Sequence, residues 1–214
     1  MTVICSTSLW SADLANLASD MRKVEPYSER FHLDVVDGHY VKTMLFFPDL
    51  VKAIRPVTEL PFEVHLMTDD PAGWVDPFIE AGGDSIIFCL DSTPDPGSVL
   101  RDIRAKGKLA GVSLLIDEPI SLLNSLWDDL DVITICATAM GIKGAGMEAH
   151  IPGKISETRA AIAERGLQIE VQVDGGIRRH TVPLMVDAGA QSIVPGSLMF
   201  GEDPKEMRRW LASL

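Results

Sequence analysis

The chain has 214 residues, 46% of them hydrophobic and 23% charged, and a formal net charge of −12. That length can bury a substantial core and suits one α/β barrel or two small domains. The acidic balance argues against a nucleic-acid or anionic-membrane surface, but not against a phosphorylated substrate held locally by backbone amides and helix N-termini. Cys5, Cys89 and Cys136 each sit in an apolar, strand-like run and predict buried free thiols in a reducing compartment, not a disulfide framework or zinc finger. The opening MTVICSTSLWSADL has no basic stretch and no long apolar core, and no apolar run reaches membrane-spanning length, so a cytoplasmic protein is expected.

In chain order, strand and helix patterns alternate. Residues 3–9 predict a strand and 11–24 an amphipathic helix, 31–36 a strand and 48–54 a short helix, 60–66 a strand and 71–81 a helix. The next pairs are 84–90 and 97–106, then 108–116 and 119–126, the last of these a short helix. Residues 132–137 pair with 153–165, the clearest helix, then 167–173 with 181–188, and 191–194 with 204–211. Eight such units, with no composition shift or long linker, imply parallel strands joined by right-handed crossovers. A TIM (β/α)8 barrel and an open doubly wound sheet both meet that demand. The lack of Gly-x-Gly-x-x-Gly after the first strand favours the barrel, as a single domain over residues 1–214. The connection 137–152 has the length of a loop that carries function.

The most informative stretch is FHLDVVDGHYV, residues 31–41. His32 and Asp34 are two apart, so on a strand both point to one face. Such a pair suits metal ligation or acid/base work, but taken alone the stretch favours a core histidine salt-bridged to its neighbour, and the rest of the chain decides between them. A barrel places its site at the C-terminal ends of the strands. Ser8, His32, Asp34, His65 and Asp174 all fall there. Two His and two Asp at one mouth match the ligand set of a divalent metal. Gly141, Gly144, Gly175, Gly176, Gly196 and Ser197 follow strands six to eight, where barrels commonly bind phosphate.

The blocks SLWSADLANL (8–17), HLDVVDGHYV (32–41), VHLMTDDP (64–71), VQVDGGI (171–177) and VPGSLMF (194–200) resemble, in order, those of the ribulose-phosphate 3-epimerase family. The resemblance spans nearly the whole chain. It implies a cytoplasmic TIM barrel that inverts C3 of a ketose phosphate with one divalent metal ion; two imidazoles and two carboxylates suit zinc first, with manganese, iron or cobalt able to take the same site. It assigns His32, Asp34, His65 and Asp174 to the metal, with Asp34 and Asp174 also the two acid/base groups. Ser8 and His65 would touch the sugar, and Gly144, Gly175, Gly176, Gly196 and Ser197 would cradle the phosphate through backbone amides and a hydroxyl. The partner is a small sugar phosphate, and a homo-oligomer is expected.

Where this chain departs from the family, the walls change. Lys42-Thr43 stands for Pro-Asn, Val36 for Met, Cys89-Leu90-Asp91 for His-x-Glu, and AMGIKGA (139–145) for Asn-Pro-Gly-Phe-Gly-Gly-Gln. The resemblance therefore implies the reaction type and leaves the ketose phosphate open, ribulose 5-phosphate or a relative. Asp37 reads as a turn residue, and His39, His150 and His180 as surface residues. Met67 and Cys136 read as core or pocket wall, and Lys143 as an anion contact or a solvated loop lysine. Two rivals are a decarboxylase-type phosphate-binding barrel and a non-catalytic sugar-phosphate sensor. The first uses Asp-x-Lys-x-x-Asp, against which His32-x-Asp34-x-x-Asp37 lacks the lysine, and the intact His and Asp set weighs against the second.

Overall fold

The computed structural model describes residues 2–142 and 144–214. Its strands are β1 (Ile4–Ser8), β2 (Arg30–Asp37), β3 (Met44–Leu45), β4 (Phe62–Met67), β5 (Ser85–Cys89), β6 (Leu109–Leu114), β7 (Val132–Cys136), β8 (Glu170–Asp174) and β9 (Ser192–Val194). All but β3 run parallel in the order β1-β9-β8-β7-β6-β5-β4-β2, and β2 pairs back to β1 to close the sheet. Eight parallel strands in a closed ring are a (β/α)8 barrel. The short β3 is a hairpin addition, antiparallel to β2 with Val36 opposite Leu45.

The helices on the outside are α1 (Leu17–Val24), α2 (Pro48–Ile54), α3 (Pro71–Glu80), α4 (Pro96–Ala105), α5 (Ile151–Glu164), α6 (Val182–Asp187), α7 (Ser197–Gly201) and α8 (Pro204–Leu211). Each of α3, α4 and α8 has an Asp N-cap followed by Pro, so the cap side chain satisfies a free amide while Pro supplies a preset φ. Three expectations change. The helix predicted at 119–126 is instead two 3-10 turns, Ile120–Leu123 and Trp127–Asp129. Its buried residues Ile120, Leu123 and Leu126 recur every three positions, the 3-10 period, after a Pro119 that has no amide to donate. The first helix starts later than predicted, after 3-10 turns at Leu9–Ser11 and Leu14–Asn16. Neither β3 nor α7 was foreseen.

Alternation along the strands sorts the side chains into two compartments. One set, including Phe31, Leu33, Val35, Phe62, Val64, Leu66, Ile86, Phe88, Val171 and Val173, packs with the helices as the hydrophobic core. The other set fills the barrel and is unusually polar: Ser6, His32, Asp34, Glu63, His65, Ser113, Thr134 and Gln172 are all buried. The apolar residues packed with the helices thus hold the barrel together from outside, while its interior combines these polar groups with a few apolar side chains such as Ile87 and Val132.

Candidate active site and metal centre

Register brings the four predicted ligands together. Asp34 on β2 lies opposite His65 on β4, and His32 opposite Glu63. Asp174 ends β8, which is separated from β2 in the ring by β9 and β1. One donor atom from each of His32, Asp34, His65 and Asp174 lies within 4.8 Å of the others. Ligands bonded to one ion at about 2.1 Å can be no more than about 4.2 Å apart, so a pair at the full 4.8 Å would have to close by at least roughly 0.6 Å to share an ion.

Hydrogen bonds orient each member. Ser8 Oγ donates to Asp34 Oδ2 at 2.7 Å, which leaves Oδ1 facing His32 Nε2 at 3.5 Å. His65 Nδ1 faces Asp174 Oδ2 at 3.7 Å. On the far side of each ring, His32 Nδ1 lies 2.8 Å from Glu63 Oε1, and His65 Nε2 lies 2.9 Å from Ser113 Oγ. Ser113 spends its proton on Cys89 Sγ, so its oxygen accepts from His65 Nε2–H. The Glu63 carboxylate accepts from His32 Nδ1–H in the same way. That leaves His32 Nε2 and His65 Nδ1 pointing toward the carboxylates, and among the described residues both are buried without a hydrogen-bond partner. Two orphaned imidazole nitrogens, each with its opposite nitrogen already held, fit a divalent cation between them.

The charges interlock. Burial disfavours a charged His32 ring, but the carboxylates of Asp34 and Glu63 outweigh it and raise its pKa well above the ordinary value. Burial likewise works against His65, yet the facing Asp174 carboxylate brings its pKa up to about 9. Asp34 is pushed up by burial and pulled further down by the two rings and by Ser8, so it stays ionised. An ionised Asp34 beside two basic nitrogens has the chemistry of a candidate cation site, because a divalent ion could take the place of ring protons.

Beneath the cluster is a network that the sequence reading missed. Glu63 Oε1 also accepts from Ser6 Oγ and Gln172 Nε2, both at 2.7 Å, and Thr134 Oγ1 in turn donates to Gln172 Oε1 at 2.8 Å. Arg30 Nε lies 3.0 Å from Glu63 Oε2, and its guanidinium also pairs with Glu170. The signal was present in FEVHL, where Glu63 shares the face of His65.

Beside the cluster opens a cavity of about 280 Å³. Ser8, Asp34 and Asp174 line it together with Gly141, Gly144, Gly175, Gly176, Gly196 and Ser197. His32 and His65 are fully buried behind the two carboxylates. His65, expected to touch the sugar as well as the metal, is not among the lining residues. Gly175 and Gly176 have φ of +88° and +63°, and a Cβ on Gly176 would lie 2.8 Å from the Met147 amide nitrogen, so this turn is closed to other residues. The altered loop after β7 forms one wall through Thr138, Ala139, Met140 and Ile142, with Cys136 and Met67 beneath. Lys143 lies outside the described residues.

Other positions stand as read. Asp37 Oδ1 accepts from the amides of His39 and Tyr40, and Oδ2 from that of Asp69, which makes it a turn residue. His39, His150 and His180 are exposed, and the three cysteines are buried and free. No helix among the described residues is long and apolar enough to cross a membrane.

A closed parallel barrel that gathers two carboxylates and a glycine-walled cavity at its C-terminal mouth is the layout of a (β/α)8-barrel enzyme. A model of the Ribulose-phosphate 3 epimerase family matches residues 4–200. Ribulose-phosphate 3-epimerase of Bacillus subtilis is 33% identical over 201 residues, covering 93% of each chain. That of Treponema pallidum is 34% identical, covering 90% of this chain and 89% of its own. The chain belongs to the ribulose-phosphate 3-epimerase family, and its class is that of the isomerases acting on carbohydrates. Among solved structures, 3-keto-L-gulonate-6-phosphate decarboxylase from Vibrio cholerae superposes with a TM-score of 0.77 at 13% identity, over 100% of this chain and 97% of its own. A 3-hexulose-6-phosphate synthase gives 0.71 at 16%, over 100% and 99%. These two share the fold.

Proposed function

We propose that the chain, a single barrel domain over residues 1–214, inverts C3 of a ketose phosphate: D-ribulose 5-phosphate/D-xylulose 5-phosphate or a related sugar. The observation that carries this is the pairing of Asp34 and Asp174, on strands apart in the ring, within one histidine-backed cluster that opens on one cavity. A proton α to a ketone is too weakly acidic for a carboxylate to remove unaided. A divalent cation held by His32, Asp34, His65 and Asp174 would stabilise the charge that develops on the substrate's C2 and C3 oxygens. Asp34 and Asp174 then act from opposite faces: one takes the C3 proton and the other returns a proton on the other side, which inverts the centre. A single base would give the proton back where it came from. Ser8 holds Asp34 in place and faces the sugar, while the backbone around Gly141, Gly144, Gly175, Gly176, Gly196 and Ser197 receives the phosphate. A soluble cytoplasmic homo-oligomer completes the reading.

The functional test is solvent exchange in deuterated water over four- to six-carbon ketose phosphates. Label at C3 with formation of the epimer supports the reading; no exchange with any of them ends it. The same assay separates it from a decarboxylase, which would release carbon dioxide, and from a sensor, which would bind without exchange.

Two further results are expected. Gently purified protein will carry about one equivalent of divalent metal by elemental analysis, zinc before manganese, iron or cobalt, and His65→Ala will lose it. A full equivalent retained in His65→Ala would remove His65 from the ligand set. For the phosphate, Gly196→Val is the cleaner probe. Gly196 has φ −104°, and an added Cβ would lie 2.5 Å from Ser11 Oγ, 3.2 Å from Ser11 Cβ and 3.8 Å from Ser8 Cβ, so it meets side chains and no backbone, and Ser11 has to shift to admit it. KM for the ketose phosphate will rise roughly tenfold or more as backbone approach is blocked. Equal turnover of the unphosphorylated ketose by the wild type would show that this wall does not read phosphate.

A further inference from the structure

The cavity wall carries one group that the proposed mechanism does not use. Among the described lining residues, Arg178 is the only cationic side chain, in a cavity that already holds the carboxylates of Asp34 and Asp174. A chain with a net charge of −12 repels anions at long range, so a phosphorylated substrate gains from a local counter-charge at its binding end. Arg178 directly follows the Gly175–Gly176 turn and Ile177, which also line the cavity.

Its position is fixed by the backbone. The Arg178 amide donates to Thr181 Oγ1 at 2.9 Å, Thr181 Oγ1 donates to the Gly176 carbonyl at 2.6 Å, and the Thr181 amide returns to the Arg178 carbonyl at 3.1 Å. Thr181 is itself buried, so this lock is part of the fold. The guanidinium is only partly committed: one nitrogen donates to the Ile177 carbonyl at 2.8 Å. That leaves most of its five N–H donors for another acceptor. The neighbouring arginine makes the contrast. Arg179 forks onto Glu202 at 3.0 and 2.6 Å and lies over the Trp210 ring at 5.2 Å. Among the described residues Arg178, like Arg22, Arg159, Arg165 and Arg209, has no carboxylate within ion-pair distance, and of these five it alone lines the cavity, while Arg30, Arg55, Arg101, Arg104, Arg179 and Arg208 all have an acidic partner.

We infer that Arg178 is the counter-ion for the phosphate of the substrate and a specificity residue for phosphorylated over free ketoses. This rests on the proposed reading of the cavity as a ketose-phosphate site. It adds a charged fork to the backbone amides, where planar N–H donors match phosphate oxygens. The residue contacts the end of the substrate remote from C3, so its contribution falls on binding and leaves proton transfer alone.

The experiment uses inorganic phosphate as the probe in calorimetric titration of the intact protein, alongside steady-state kinetics with the ketose phosphate. Arg178→Ala will weaken phosphate binding and raise KM by roughly 10- to 100-fold with kcat little changed, the usual scale for losing a charged hydrogen bond. Arg178→Lys will recover part of the loss, and Arg179→Ala will match the wild type. Arg178→Gln, close in length, serves as the neutral variant if alanine lowers the melting temperature. Phosphate that binds the wild type no better than the Arg178 variants overturns the inference, as does an equal loss in Arg179→Ala. The two readings fail separately. A protein that binds phosphate through Arg178 but exchanges no C3 proton keeps this inference and loses the epimerase reading. One that epimerises with unchanged KM in Arg178→Ala does the reverse.

Discussion

Asp34→Asn and Asp174→Asn will each lower kcat for epimerisation by roughly 10²- to 10⁴-fold, the scale of one lost general acid or base. Asparagine keeps the shape but cannot carry the proton. The two variants will not fail in the same way. Asp34 is nearly enclosed, with 3% of its side chain exposed and Oδ2 held by Ser8, whereas Asp174 is 22% exposed and looks into the cavity. Replacing Asp34 therefore also disturbs the inner histidine pair, and Asp34→Asn will lose more metal than Asp174→Asn. In deuterated water a two-base site shows an asymmetry that a one-base site cannot. Each variant retains one carboxylate, facing one epimer's C3 hydrogen. That epimer will take up label without inverting, and its partner will not. Full inversion by either single variant would mean that its missing carboxylate is not needed, and the two-base mechanism would have to be abandoned.

Glu63→Leu will be the largest stability loss of the variants considered, about 3–5 kcal/mol, because it leaves Ser6 Oγ, His32 Nδ1 and Gln172 Nε2 without their buried acceptor and Arg30, which keeps Glu170, without its inner carboxylate. For a chain of this size that is a fall of roughly 10 °C in Tm. Glu63 lies fully buried, and burial raises its pKa, yet the charge of Arg30 and the bonds from His32 and Gln172 bring it from 4.5 down to about 2. The sign follows from linkage. A folded pKa below the unfolded one gives stability that is complete above about pH 4.5 and is lost as pH falls toward about 2. Acid unfolding of metal-free protein, followed by circular dichroism, will therefore show a steep wild-type loss in that window and a shallower one in Glu63→Leu. Metal affinity gives a second readout. With no acceptor at Nδ1, the His32 tautomer is no longer set, and affinity will fall roughly 10- to 100-fold. Unchanged metal affinity in a folded Glu63→Leu would reduce Glu63 to a packing role.

Much of this was present in local pattern. Apolar, strand-like runs between helical patterns marked the barrel strands, and the spacing of His32 and Asp34 placed both on one face, because the period of a strand is two whatever surrounds it. The block matches also pointed to His65, Asp174 and the glycine-rich turns. Closure and register were decided by the tertiary structure. In an open sheet the inward face of FEVHL would meet solvent or a helix layer, and Glu63 would read as a surface charge. In a closed ring it sits at the centre, where Ser6, Arg30, His32 and Gln172, drawn from three other strands, converge on one carboxylate. The segment 119–126 took the 3-10 form because its apolar residues had to meet the barrel every third position in a short span. Arg178 and Arg179 show the boundary most clearly. Side by side in the sequence they are equivalent cations. Only the fold, by locking the turn through Thr181 and setting Glu202 and Trp210 beside one of them, sends Arg179 to a surface ion pair and leaves Arg178 at the cavity.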